Sequence, residues 1–105
     1  MLEKARQLVN EFCIAEYESE ADFTDLTRVG LAYTTTGDNE ENEVQVCADL
    51  VHCTMSYYID DARVRLDEYD SLEYMIAYDL EFLDFNELYH TAMEAYSYMM
   101  ESEGA

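Results

Sequence analysis

The chain has 105 residues and a formal net charge of -20, with 25 Asp and Glu against five Lys and Arg. That length supports one core and not two, so a single acidic domain over residues 1–105 is expected; half of the residues are hydrophobic and ten are Tyr, which excludes a solvated acidic tail. Charge of this sign repels nucleic acid and anionic membrane surfaces alike, and no stretch reaches the roughly 20 apolar residues of a membrane span.

The opening Met1-Leu-Glu-Lys-Ala lacks the basic-then-apolar order of a signal peptide, so a cytoplasmic location is expected. From Leu2 to about Tyr17, the residues Leu2, Ala5, Leu8, Val9, Phe12 and Cys13 recur at three-and-four spacing, which predicts a helix with one buried stripe, ending near Ser19. The stretch that follows, Glu16 to Asp25, is an acidic connection with Phe23 and Leu26 tucked inward.

Val29, Leu31 and Tyr33 alternate with small residues and lead into the β-branched run Thr34-Thr-Thr36. Turn-forming residues occupy positions 37–42, and Val44, Val46, Ala48 and Leu50 begin a second alternating strand, so a hairpin is expected. After Leu50 the apolar parity moves to Val51, Cys53, Met55, Tyr57 and Ile59, which demands a bulge or a turn near Val51 and His52. One bent long strand and two short ones both satisfy that demand. Asp60-Asp61 makes a tight turn into Ala62, Val64 and Leu66, completing an antiparallel meander of three or four strands.

Asp70-Ser-Leu-Glu73 and Asp84-Phe-Asn-Glu87 each place a capping Asp three residues before a Glu and so predict two helix starts. Behind them, Leu72, Met75, Ile76, Leu80 and Leu83 form one apolar stripe, and Phe85, Leu88, Tyr89, Ala92, Met93, Tyr96 and Met99 form the other. The fold class is therefore α+β, with an N-terminal helix, the meander, and two C-terminal helices packed on one sheet face.

Little in the chain suggests catalysis. Adjacent acids such as Asp60 with Asp61, or Asp67 with Glu68, are bound to occur by chance at this composition, and acid–base chemistry needs one of them in a shaped pocket with a shifted pKa. The segment Asp38 to Glu43 lacks the glycine and the terminal glutamate of a calcium loop. His52 and Cys53, with Cys47 nearby, are the one soft-metal candidate, but on a strand they point to opposite faces and no second ligand pair follows. Cys13, Cys47 and Cys53 are read as reduced structural thiols, His90 has no nucleophile in a recognisable motif, and neither a metal nor a cofactor is expected. Tyrosines exposed on the finished fold, among Tyr57, Tyr58, Tyr74, Tyr78 and Tyr98, are candidate anchors for a protein interface.

The run Asp22 to Thr36, the later Asp49-Leu-Val51, and Tyr69-Asp-Ser-Leu-Glu73 followed by Leu83-Asp-Phe85 resemble a family of small acidic proteins carried by bacterial mobile elements and phages, sometimes as a large polyvalent protein associated domain. The similarity runs from about Phe12 to Leu88, and departs from the family pattern at Asp60-Asp61-Ala62, where an Asp-Gly turn is expected. It implies counter-defence inside a bacterial host cell and brings no catalytic residues with it.

A compact domain of this length is about 33 Å across, and its charge matches roughly ten base pairs of duplex. The expected function is that of a non-enzymatic DNA mimic, an anti-CRISPR protein seated in the basic groove of a type II CRISPR effector nuclease. An anti-restriction mimic and an acidic protein–protein interaction module of a mobile element are the alternatives. The carboxylates expected to meet the partner are Asp38, Glu40, Glu41 and Glu43 in the first hairpin, Asp60 and Asp61 in the second, and Asp67, Glu68 and Asp70 ahead of the second helix. Glu73, Glu81, Glu87 and Glu94 on the outer helix faces extend the array.

Overall fold

The computed structural model describes residues 1–24, 27–35 and 42–104. Helix α1 spans Leu2–Tyr17 and buries Ala5, Val9, Phe12 and Cys13 of the expected stripe, while Leu8 is half-buried and Leu2, at the helix start, is exposed. It stops where Glu18 takes a left-handed conformation, φ 57°, and its amide donates to the Ile14 carbonyl at 3.0 Å.

Five strands follow: β1 Phe23–Thr24, β2 Arg28–Thr35, β3 Glu43–Asp49, β4 Thr54–Ile59 and β5 Ala62–Glu68. Each pairs antiparallel with the next, giving the sheet order β1-β2-β3-β4-β5. The meander is thus longer than the expected three or four strands. Two residues of the acidic connection form β1, where Phe23 pairs with Val29. The parity change after Leu50 is resolved by a turn over residues 50–53 and two short strands, not one bent strand. Asp49 builds that turn, its Oδ1 accepting from the amides of Val51 at 3.0 Å and His52 at 3.1 Å, while Cys53 sits at φ 56°.

Two register shifts redirect side chains. In β2 the shift between Gly30 and Ala32 makes Leu31 an extra, fully buried residue, so that Val29 and Ala32 face the core and Tyr33 faces away from it. In β5 the partner of Tyr57 is Arg65 and that of Tyr58 is Arg63, so Val64 is the extra residue. Arg65 and Asp67 thereby share the face of Met55 and Tyr57, and Leu66 lies opposite Ser56 on the other face.

Helix α2 covers Leu72–Tyr78, a single 3-10 turn covers Leu80–Phe82, and α3 covers Phe85–Gly104. The cap of α2 corrects the sequence reading by one residue, because Ser71 and not Asp70 accepts the Tyr74 amide, at 3.3 Å. Asp84 caps α3 as expected, taking the Glu87 amide at 3.1 Å. Helix α2 also ends before Leu80 and Leu83 can join its stripe, although Leu80 is still buried in the turn beyond. Helix α3 crosses strands β2 to β5. The core lies between this helical layer and one sheet face, where Val44, Val46, Met55, Ile59, Met75 and Val9 are fully buried.

Candidate functional site

Asp38, Glu40 and Glu41 lie outside the described residues, as do Gly37 and Asn39 of the expected first turn, Thr36 of the expected strand, and Leu26, which the sequence reading places inward. The remaining predicted acids fall into two groups at opposite ends of β5, about 20 Å apart for a strand of this length.

Glu43, Asp60 and Asp61 form the first group. Asp60 and Asp61 are the two residues of the β4–β5 hairpin loop, both left-handed, at φ 51° and 67°, as a type I′ turn requires. Asp60 is also tied down: its Oδ1 accepts the Glu43 amide at 2.8 Å, and its own amide donates to the Glu43 carbonyl at 2.9 Å. One acid of this group therefore does structural work, while Asp61 projects into solvent.

Asp67, Glu68 and Asp70 form the second group, and they do not share a face. Glu68 pairs with Thr54 and is exposed on the uncovered side of the sheet, whereas Asp67 pairs with Met55 on the helix side. Asp67 accepts from Arg65 Nε at 2.8 Å, and the Arg65 guanidinium lies 5.8 Å from the Tyr57 ring centroid. Beneath it, Tyr69 donates to Asp79 Oδ2 at 2.7 Å. Burial pushes the Asp79 carboxyl above the ordinary range, with Asp67 and Glu87 adding to the effect and the Tyr69 hydroxyl and Arg65 opposing it. Burial likewise raises the Tyr57 and Tyr69 phenols. These groups belong to the packing of α2 onto the sheet and leave Asp67 poorly placed to meet a partner.

The outer side of the helical layer carries the acids that stand clear. Asp70, Glu73, Glu81, Asp84, Glu87 and Glu94 are all exposed, and from residue 66 to the C-terminus the chain contains no Lys or Arg. Glu87 and Glu94, seven residues apart, repeat on one face of α3 at about 10 Å. Lys4 reaches this layer from α1, its Nζ 3.5 Å from Glu81 Oε1, with both side chains about half exposed. Three large aromatic side chains in α2 and the turn after it are exposed: Tyr74, Tyr78 and Phe82, at 52%, 69% and 65%.

Among the described residues, no helix lies over the opposite sheet face. Gly30, Cys47 and Ser56 form a floor of small residues between taller rims that include Arg28, Thr54, Tyr58 and Arg63, enclosing an open groove of about 650 Å³. Sequence reasoning passed over this groove. Its signal was the polar parity of Gln45, Cys47 and Asp49 and of Thr54, Ser56 and Tyr58, with too few amphipathic helices to cover both faces. At the groove's end His52 Nδ1 lies 2.8 Å from Asp49 Oδ2. Burial acts to raise Asp49, but the His52 amide and ring and the Val51 amide outweigh it and hold the carboxyl below its usual range. Burial raises the thiols of Cys13, Cys47 and Cys53, the reverse of what an activated nucleophile requires. Among the described residues, no three His, Cys, Asp or Glu side chains are grouped to hold a metal ion, and no helix is long and apolar enough to cross a membrane.

Comparison with protein families, with curated proteins and with solved structures found no match to this chain.

Proposed function

We propose that the protein is a DNA mimic that takes the seat of duplex DNA in a basic cleft of a host nuclease, with a type II CRISPR effector as the first target class. A restriction endonuclease offers a cleft of the same chemistry and is the second. The observation that carries this reading is the segregation of charge along the chain: six carboxylates between Asp70 and Glu94, three of them on α2 and α3 and three in the segments that flank and join these helices, are exposed in a stretch without a single Lys or Arg. A cleft built to receive phosphates presents Arg and Lys donors, and carboxylates satisfy these with short, charge-assisted bonds. The scale also fits. The molecule measures 44 × 31 × 23 Å, and duplex DNA of 44 Å carries about 26 charges at 1.7 Å per charge, close to the -20 found here.

The mechanism is occupancy, with no bond made or broken. Long-range attraction speeds the encounter, and carboxylates at the seat exclude the target duplex. The test is inhibition of cleavage by a guide-loaded type II effector, with motif-bearing duplex as competitor. Inhibition is expected to weaken as duplex is added first and as salt rises from 0.05 to 0.5 M, since the screening length falls severalfold. The quadruple variant E73Q/E81Q/E87Q/E94Q is expected to lose inhibition while keeping its fold. Full inhibition by that variant, together with indifference to salt and duplex, overturns the reading.

A further inference from the structure

We infer that Tyr74 and Tyr78 form a preassembled aromatic platform for arginine side chains of a basic protein partner, a conclusion that rests on the proposed function and assigns its contact face. Helix α2 buries Met75 and Ile76 and turns Glu73, Tyr74, Ala77 and Tyr78 to solvent, with Asp70 exposed ahead of the helix and Glu81 exposed in the turn after it. On that side the Tyr74 and Tyr78 rings stack, 5.9 Å between centroids and 7° from parallel, although both are more than half exposed. Two large rings held flat against each other in water present apolar area whose ordering cost is already met by the fold, as interface anchors do. Phe82 adds a third exposed ring in the turn after the helix.

The surroundings decide what such a platform accepts. Glu73, Asp70 and Glu81 are exposed within four residues of the two tyrosines along the chain, and no Lys or Arg occurs between Arg65 and the C-terminus. Another acidic or neutral apolar surface gains nothing from these carboxylates, and a second copy of this chain brings its own like charge against them. A guanidinium satisfies both elements at once, because its plane stacks on an aromatic face while its edge donates to carboxylate oxygens in a fork. A lysine ammonium has the charge without the plane. Lys4, held near Glu81, is the intramolecular cation that an incoming arginine displaces.

The preference for arginine over lysine at equal charge is the property to measure. Nona-arginine and nona-lysine peptides are titrated into the full chain at 0.15 M salt, with the wild type, Y74A/Y78A and Y74F/Y78F compared. The wild type is expected to bind nona-arginine about three- to tenfold more tightly than nona-lysine. Y74A/Y78A is expected to lose that margin with its nona-lysine affinity unchanged, and Y74F/Y78F, which keeps the rings, to retain it. Because both side chains point to solvent, circular dichroism and the melting curve of each variant are expected to stay native.

A wild type that treats the two peptides alike, or a Y74A/Y78A variant that keeps the margin, overturns the inference. So does a concentration-dependent dimer abolished by the same double substitution, which assigns the platform to a second copy of the chain. Failure of the mimic reading is distinct: the arginine margin then persists while E73Q/E81Q/E87Q/E94Q still inhibits the nuclease in full.

Discussion

The β4–β5 turn makes two neighbouring aspartates respond in opposite directions to the same substitution. Asp60 and Asp61 both hold positive φ, a region that costs an L-residue roughly 1–2 kcal/mol, less for Asp than for most, and nothing for glycine. Asp61 has only that cost, whereas Asp60 also accepts the Glu43 amide. Replacing Asp61 with Gly relieves that strain, offset by the greater freedom of glycine in the unfolded chain, for a net gain of about 0.5–1 kcal/mol. In a domain of this size that raises Tm by about 3–6 °C. Asp60→Gly relieves similar strain but abandons a hydrogen bond to a charged acceptor, worth about 1.5 kcal/mol at the low end for such bonds, and is expected to lower Tm. Melts followed by far-ultraviolet circular dichroism at pH 7 and 0.15 M salt read both, with Asp61→Asn separating charge from backbone strain. Asp61→Gly melting at or below the wild type, or Asp60→Gly gaining as much, refutes the account of this turn.

Three further outcomes follow from the fold. Ser71→Ala is expected to cost about 1 kcal/mol through loss of the α2 cap, while Asp70→Ala leaves the melt nearly unchanged; the reverse order would restore Asp70 as the cap. The folded state raises the Asp79 carboxyl above its unfolded value, so stability falls as pH climbs from the ordinary carboxylate range through that raised value. Asp79→Asn, which still accepts the Tyr69 hydroxyl and removes a negative charge from a helix C-terminus, is therefore expected to gain roughly 1 kcal/mol at pH 7 and nothing near pH 3, as read by paired melts. Finally, Tm is expected to rise from 10 to 150 mM salt as a surface with a net charge of -20 is screened; a flat response would show that crowding of charge is a minor influence on stability.

What the sequence could and could not reveal has physical causes. Helix α1 was readable because one stripe from Ala5 to Cys13 repeats without interruption, and the division near Val51 because a pleated strand cannot change its buried face unaided. The end of α2 was hidden, since Leu80 and Leu83 continue the helical spacing past Asp79 and neither Gly nor Pro marks the stop. The shifts at Leu31 and Val64 were hidden as well. Alternation read through Leu31 and Tyr33, or through Val64 and Leu66, assumes an unbroken pleat, and one extra residue reverses every position after it. That is why Asp67, a predicted contact, turns toward Arg65 and Tyr57. Exposure of Glu73, Glu87 and Glu94 was legible from the helical wheel, whereas Glu81 is exposed in the turn beyond α2, and the ring stack of Tyr74 and Tyr78 needed side-chain conformations that no spacing rule supplies.

The bare sheet side holds Arg28 and Arg63 around its groove, while the layer on the far side holds acids without a basic residue of its own from position 66 onward. Such a molecule behaves as a compass needle in an external field. On the proposed docking into a cationic cleft, it is expected to rotate during approach, so that the helices lead and the groove trails, open to water.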